Sequence, residues 1–192
     1  MDERNVWRSR ASALAEATQS KPRLSHSREV ARLSSELCDR FHADEEKGYI
    51  AGMAHDLARE LDMAEILLMA ESDGKPVSAW ERERPLILHG RAGAAILTKH
   101  TGYVDDETLQ AIRDHVTGRG SMGPISRIVF VADFLEPSRD FVSPEFRRRS
   151  LALSLDEMVL AVLDRKIHFL RAASLEIAPD AQGLHQELTR HA

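Results

Sequence analysis

The chain has 192 residues, 43% of them hydrophobic, enough for one compact domain with a sizeable core and short for two. A formal net charge of -5 and a pI near 6.0 exclude an extended nucleic-acid-binding surface, and Arg147-Arg148-Arg149 reads as a solvated helix face. A single cysteine, Cys38, rules out an internal disulfide, and no opening segment joins a basic flank to a long apolar run; a cytoplasmic protein with neither a membrane nor a nucleic-acid partner is expected.

Apolar residues recur at helical spacing, as in Val30, Leu33, Leu37 and Phe41 and again in Ile50, Met53, Leu57 and Leu61, which predicts an all-α, single-domain helical bundle. The alanine-rich stretch Glu3 to Thr18 is read as the first helix. Lys21-Pro22 is expected to break it before a new start at Ser25, placing His26 in a first turn. Cys38 falls on an apolar stripe and is read as a small buried hydrophobe.

Ala43-Asp44 opens the next predicted helix, which carries His55-Asp56 inside a pattern running to Leu61 and resumes from Ile66 to Ala70. The polar stretch from Ser72 to Arg84 reads as a surface loop over or beside a site; Trp80 within it is expected to pack on the bundle in preference to stacking on a base. Pro85 suits the first turn of a helix bearing His89.

Asp105 or Asp106 can cap a helix ending near Val116, which leaves His115 facing a glycine-rich loop from Thr117 to Pro124. Ile128-Val129-Phe130-Val131 has strand-like composition, but its length and neighbours favour a buried helix from Ile125 to Leu135. Ser154 and Glu157 form a capping box for a long last core helix, and the final residues, with Pro179 and Gly183, read as a short helix or frayed tail. The expected organisation is an N-terminal helix over 1–20, a core over 21–140, and C-terminal helices over 141–192 packing on it.

Six donors stand out along these helices: His26, His55, Asp56, His89, His115 and Asp133. Intervals of 18 to 33 residues separate the helical stations they occupy, about one helix plus its connection, so each helix can point a ligand into a bundle core. Neutral imidazole and carboxylate hold divalent metals, and adjacent His55 and Asp56 are turned by ~100° about a helix, which suits Asp56 to bridging two ions. Asp133 lies in an otherwise apolar run, where an uncompensated charge is costly and a metal is the economical partner. His42, His100, His168, His185 and His191 lack such surroundings and are left out. Gly90 and Gly93 read as close helix packing at least as well as phosphate contact.

The order H…HD…H…H…D resembles the HD-domain metallophosphohydrolase superfamily. The local words Pro85-Leu86-Ile87-Leu88-His89-Gly90-Arg91-Ala92-Gly93-Ala94, His115-Val116-Thr117-Gly118 and Ala132-Asp133-Phe134-Leu135-Glu136-Pro137-Ser138-Arg139 are similar to the bacterial symmetrical diadenosine tetraphosphate hydrolases within it. The likeness spans about Leu24 to Arg139. It implies that His26, His55, Asp56 and Asp133 bind a first metal, that Asp56 bridges, and that His89 and His115 complete the second site or face the phosphates.

It also implies iron, although manganese, cobalt or nickel would accept the same donors. Arg59 is assigned to the substrate phosphates beside Asp56 in the catalytic step, with Thr117, Gly118 and Arg139 around the nucleotide. Arg59 stands where the family usually has lysine, and Val116 where it usually has threonine. The implied reaction is metal-dependent hydrolysis of diadenosine tetraphosphate to two ADP, with homodimerisation allowed. Two alternatives stay open: an HD-type phosphatase acting on other nucleotides, and a nucleotide-sensing helical domain without catalysis.

Overall fold

The computed structural model describes residues 3–190, and the elements among them are all helical. In chain order they are α1 (Glu3–Thr18), α2 (Lys21–Arg40), α3 (Glu45–Ala54), α4 (Met63–Glu71), α5 (Ala79–Arg82), a 3-10 turn (Pro85–Leu88), α6 (His89–Thr101), α7 (Asp106–Asp114), α8 (Pro124–Leu135), α9 (Pro144–Ser150), α10 (Leu155–Ala172) and α11 (Pro179–Arg190). The expected all-α architecture is met. No helix among the described residues is long and apolar enough to cross a membrane.

Helix starts follow the short polar residues that can satisfy the free N–H groups of a first turn. Asp44, Asp105 and Ser143 each accept a backbone N–H from the helix they precede. Asp62 with Glu65, Ser78 with Glu81 and Ser154 with Glu157 close full capping boxes, including the one read from the sequence. Each such cap is worth about 1 kcal/mol, so helix boundaries are set locally.

Packing is set by apolar stripes. α2 lies against α3, where a Cβ on Gly52 would sit 2.6 Å from the Ala31 Cα, and both helices meet α8; Val30, Ala31, Ile50, Ala51 and Ile128 of these three helices are buried. α6 and α7 pack beside α3, while α10, with Met158, Val162 and Leu163 buried, packs on α8 and α11, with Leu184 buried, packs on α10. Gly90 is required by this arrangement: a Cβ there would sit 2.6 Å from the Ile112 carbonyl oxygen, so the close approach of α6 to α7 excludes any side chain.

Several expectations need correction. Lys21-Pro22 begins α2 rather than delaying it: Ser20 is the N-cap and Pro22 lies in the first turn, where its missing N–H costs nothing, so His26 falls in the second turn. α3 ends at Ala54, and His55-Asp56 lie in a run of tight turns rather than inside a helix. The stretch after Ser72 contains α5 and is tied down by Arg91, whose guanidinium meets both Asp73 carboxylate oxygens at 2.7 and 3.0 Å and the Lys75 and Pro76 carbonyls at 2.9 and 3.2 Å. Arg147 is not a solvated side chain. It bonds the carbonyls of Leu135, Glu136 and Arg139 at 2.7, 3.2 and 3.0 Å and so fixes the loop behind α8. The last segment is a formed helix, and His191 lies outside the described residues.

Candidate metal centre

Five elements deliver the six predicted donors to one buried point. α2 supplies His26, the turn after α3 supplies His55 and Asp56, α6 begins at His89, His115 caps the C-terminus of α7, and the last turn of α8 carries Asp133. His55 is fully buried, and His26, Asp56, His89 and His115 nearly so. His55 keeps right-handed helical dihedrals (φ -55, ψ -37), and tight turns such as Leu57 N–H to the Ala54 carbonyl at 3.2 Å follow it, so the chain stays coiled while both neighbouring side chains reach the centre.

Five of the donors form two clusters sharing Asp56, and Asp133 adjoins the first through His26 and His55. In the first, His26 Nε2 lies 3.2 Å from His55 Nε2 and 3.1 Å from Asp133 Oδ1, and His55 Nε2 lies 3.3 Å from Asp56 Oδ2. In the second, His89 Nε2 lies 3.0 Å from His115 Nε2 and 3.2 Å from Asp56 Oδ1, with His115 Nε2 at 3.7 Å from the same oxygen. Ligand atoms held about 2.0 to 2.2 Å from one ion stand roughly 3 Å apart, which is the spacing found.

Outer hydrogen bonds fix the ring orientations. The Nδ1 atoms of His55, His89 and His115 face the carbonyl oxygens of Gly52, Leu86 and Ile112 at 2.7, 2.6 and 2.8 Å, and Nδ1 of His26 faces Glu136 Oε1 at 3.0 Å. A carbonyl or carboxylate oxygen can only accept, so each Nδ1 carries a proton and each ring turns Nε2 inward, where it offers a lone pair to a metal. Two such lone pairs 3.0 Å apart repel unless a cation lies between them. The donor set therefore fits a metal on its own geometry.

Electrostatics agree. Burial opposes ionisation of Asp56, but the imidazoles of His55, His115 and His89 bring its carboxyl well below the usual range; Asp133 is likewise held down against burial by His26, His55 and Arg139. Burial also works against a charged His55, yet Asp56 and Asp133 outweigh it and raise the ring. Burial pushes His115 down to about 4 against the pull of Asp56, so it is a neutral donor at ordinary pH. Two buried carboxylates thus require positive charge at the centre.

Two arginines supply some of it. Arg23 Nη1 lies 2.6 Å from Asp56 Oδ2, while Arg139 bonds Asp133 and sits with Nη2 3.0 Å from His26 Nε2. Arg59 follows Asp56 by three residues and is half-buried. Thr117 turns its hydroxyl onto the Gly118 carbonyl at 3.0 Å. Gly118 has φ +66, and a Cβ there would lie 2.6 Å from Leu184, so this glycine serves the sharp exit from α7.

Sequence reasoning missed three residues here. Glu136, fully buried, orients His26 and follows Asp133 by one helical turn; Arg23 precedes His26 by three, which sets both on one face of α2. Asp114 bonds Gln110, Arg119 and Ser126 at 2.7, 2.9 and 2.8 Å and so steadies the segment carrying His115. The i,i+3 spacing was the available signal for the first two. A surface hollow of about 540 Å³ walled by Phe146, Arg165, Arg171 and His185 includes none of the six donors.

A helical bundle with a buried, carboxylate-bridged histidine cluster defines a metal-dependent phosphohydrolase, and comparison bears this out. The HD domain family model matches residues 23–165, and the chain belongs to that family. It is 29% identical over 183 residues to the symmetrical bis(5'-nucleosyl)-tetraphosphatase of Halalkalibacterium halodurans, covering 94% of this chain and 96% of that one. It is 30% identical over 166 residues to the protein of the same name from Staphylococcus aureus, covering 84% of each. A solved structure from Clostridium acetobutylicum, described as a predicted HD superfamily hydrolase involved in NAD metabolism, superposes with a TM-score of 0.89 at 26% identity over 95% of this chain and 96% of that one. The chain is a hydrolase of the type that the two curated relatives represent.

Proposed function

We propose that this protein hydrolyses dinucleoside polyphosphates, with diadenosine tetraphosphate as substrate and two ADP as products, at a pair of divalent metals held by His26, His55, Asp56, His89, His115 and Asp133. The observation that carries the reading is the division of Asp56: Oδ2 faces His55 at 3.3 Å and His26 at 3.8 Å, while Oδ1 faces His89 at 3.2 Å and His115 at 3.7 Å. One carboxylate so shared sets two cation positions side by side, the arrangement that suits in-line displacement at phosphorus. The relatives' names supply the substrate class.

Metal bound by these donors supplies the Lewis acidity that makes water nucleophilic at neutral pH and offsets phosphate charge. Water adds its oxygen to one inner phosphorus, and the bridging oxygen between the two inner phosphates leaves with the other ADP. Arg23 and Arg139, which touch the donors Asp56 and Asp133, and Arg59, three residues after Asp56, would neutralise the polyphosphate, and a planar fork grips two of its oxygens at once. Arg59 suits this role because its side chain is bound by no hydrogen bond or ion pair among the described residues. His89 and His115 would hold the second ion or face the phosphates, and the Thr117-Gly118 segment, which follows His115 directly, would contact the nucleotide. Iron is the metal we assign, by family likeness.

Anaerobically purified, iron-loaded protein should convert diadenosine tetraphosphate to ADP alone, and Asp56→Ala should lose both metal and turnover while keeping its helical circular dichroism. Products of AMP and ATP, or full activity in the variant, would overturn the reading.

A further inference from the structure

We propose that Phe141 is a specificity residue that stacks on an adenine of the bound nucleotide, an inference that rests on the dinucleotide reading above. Phe141 is 69% exposed, whereas Phe134, the aromatic it adjoins, and Phe146 beyond that are partly buried against the core. Its ring meets that of Phe134 edge-on, with centroids 5.5 Å apart and planes at 75°, and Phe134 meets Phe146 in the same way at 6.4 Å. The ring is thus braced from the protein side and open towards solvent.

Its place relative to the metal centre is what gives the exposure meaning. The Arg139 guanidinium carbon lies 5.6 Å from the Phe141 ring centroid, and the same guanidinium bonds Asp133 and stands 3.0 Å from His26 Nε2. Metal donors, a phosphate-gripping arginine and an open aromatic ring therefore follow one another outward. A nucleotide lays out phosphate, ribose and base in that order.

The ring is also on a fixed support. The Val142 N–H bonds the Arg139 carbonyl at 3.1 Å, Arg147 bonds the same carbonyl at 3.0 Å, and Val142 is buried. Presenting a rigid aromatic costs little ordering entropy when a base arrives, and every base has a π-face for it, the larger purines most. Sequence alone hides this, because Phe141 reads as one more apolar residue between helices.

The test compares two probes on metal-loaded protein by titration calorimetry: ADP, which has a base, and inorganic pyrophosphate, which has none. Phe141→Ala should weaken ADP at least about tenfold and leave pyrophosphate affinity unchanged, and Phe141→Trp should restore ADP binding. In turnover, KM for diadenosine tetraphosphate should rise by more than kcat falls. Equal weakening of both probes, or none, overturns the role. So does a change of oligomeric mass by light scattering with ADP affinity kept, which would make the ring an interface between copies. Should wild-type protein leave diadenosine tetraphosphate uncut, the functional reading fails, yet the ADP and pyrophosphate comparison still decides Phe141.

Discussion

Glu136 holds His26 from behind: its Oε1 lies 3.0 Å from the His26 Nδ1, in a position with no exposure to solvent. The carboxylate is itself steadied by the Ser138 backbone N–H and hydroxyl, both at 2.6 Å, and it is held below the usual range, against burial, by His26 and Ser138. This contact decides which ring nitrogen of His26 is protonated and hence whether Nε2 can act as a donor.

Glu136→Gln keeps the volume but lets the ring accept the other tautomer. Metal affinity should drop about 10- to 100-fold, as for other outer hydrogen bonds to ligating histidines, while the melting temperature of the metal-free protein changes little. Calorimetric titration with manganous ion reads the first and a thermal scan the second. An unchanged affinity would remove Glu136 from the centre.

Arg91 should matter for stability rather than for metal. Its side chain is 13% exposed and that of Asp73 only 6%, so Arg91→Ala strands the Asp73 carboxylate and leaves the partly buried Ala70 carbonyl without its donor. Losing one partner of such a pair costs about 3 kcal/mol, which for a chain of this size lowers Tm by roughly 6 to 12 °C. The pH dependence has a definite sign. Burial raises Asp73 but its bonds to Arg91 outweigh that and depress it, so its stabilisation is present above the ordinary carboxylate pKa and fades as pH falls through it. The wild-type advantage over Arg91→Ala should shrink on acidification in urea titrations below pH 4; a constant gap would contradict the pairing.

Cys38 gives a second pH signature, of opposite direction. Burial, helped by nearby Asp44 and Glu45, pushes its thiol up from 9.0 to about 12. Between those values the unfolded chain loses the proton and the native chain keeps it, so stability falls as pH rises through that window. Iodoacetamide should label Cys38 negligibly from pH 8 to 9.5 in native protein and promptly once urea unfolds it. Rapid native labelling, followed by mass spectrometry, would show the thiol to be accessible.

Much of this architecture is written locally. A short polar residue before an apolar stripe satisfies free N–H groups wherever the chain goes, which is why Asp44, Asp105 and the Ser154 capping box could be read in advance. The same rule shows why Lys21-Pro22 misled: proline breaks a helix it enters late and begins one it enters early, and only Ser20, bonded to Glu60 across the fold, distinguishes the two.

The six donors were legible as residue types, because an imidazole or carboxylate set among apolar neighbours needs a reason to be there. Their convergence was not, since it depends on how five elements cross. Glu136, Arg23 and Arg147 went unread on the same ground: a charged side chain near a helix end looks solvated until the fold closes around it, and burial is a property of the assembled core. The sequence by itself determined which donor residues the chain carries and where the helices capped by Asp44, Asp105 and Ser154 start; the tertiary structure decided which lone pairs face one another across 3.0 Å, because distance between residues far apart in the chain is fixed only by packing.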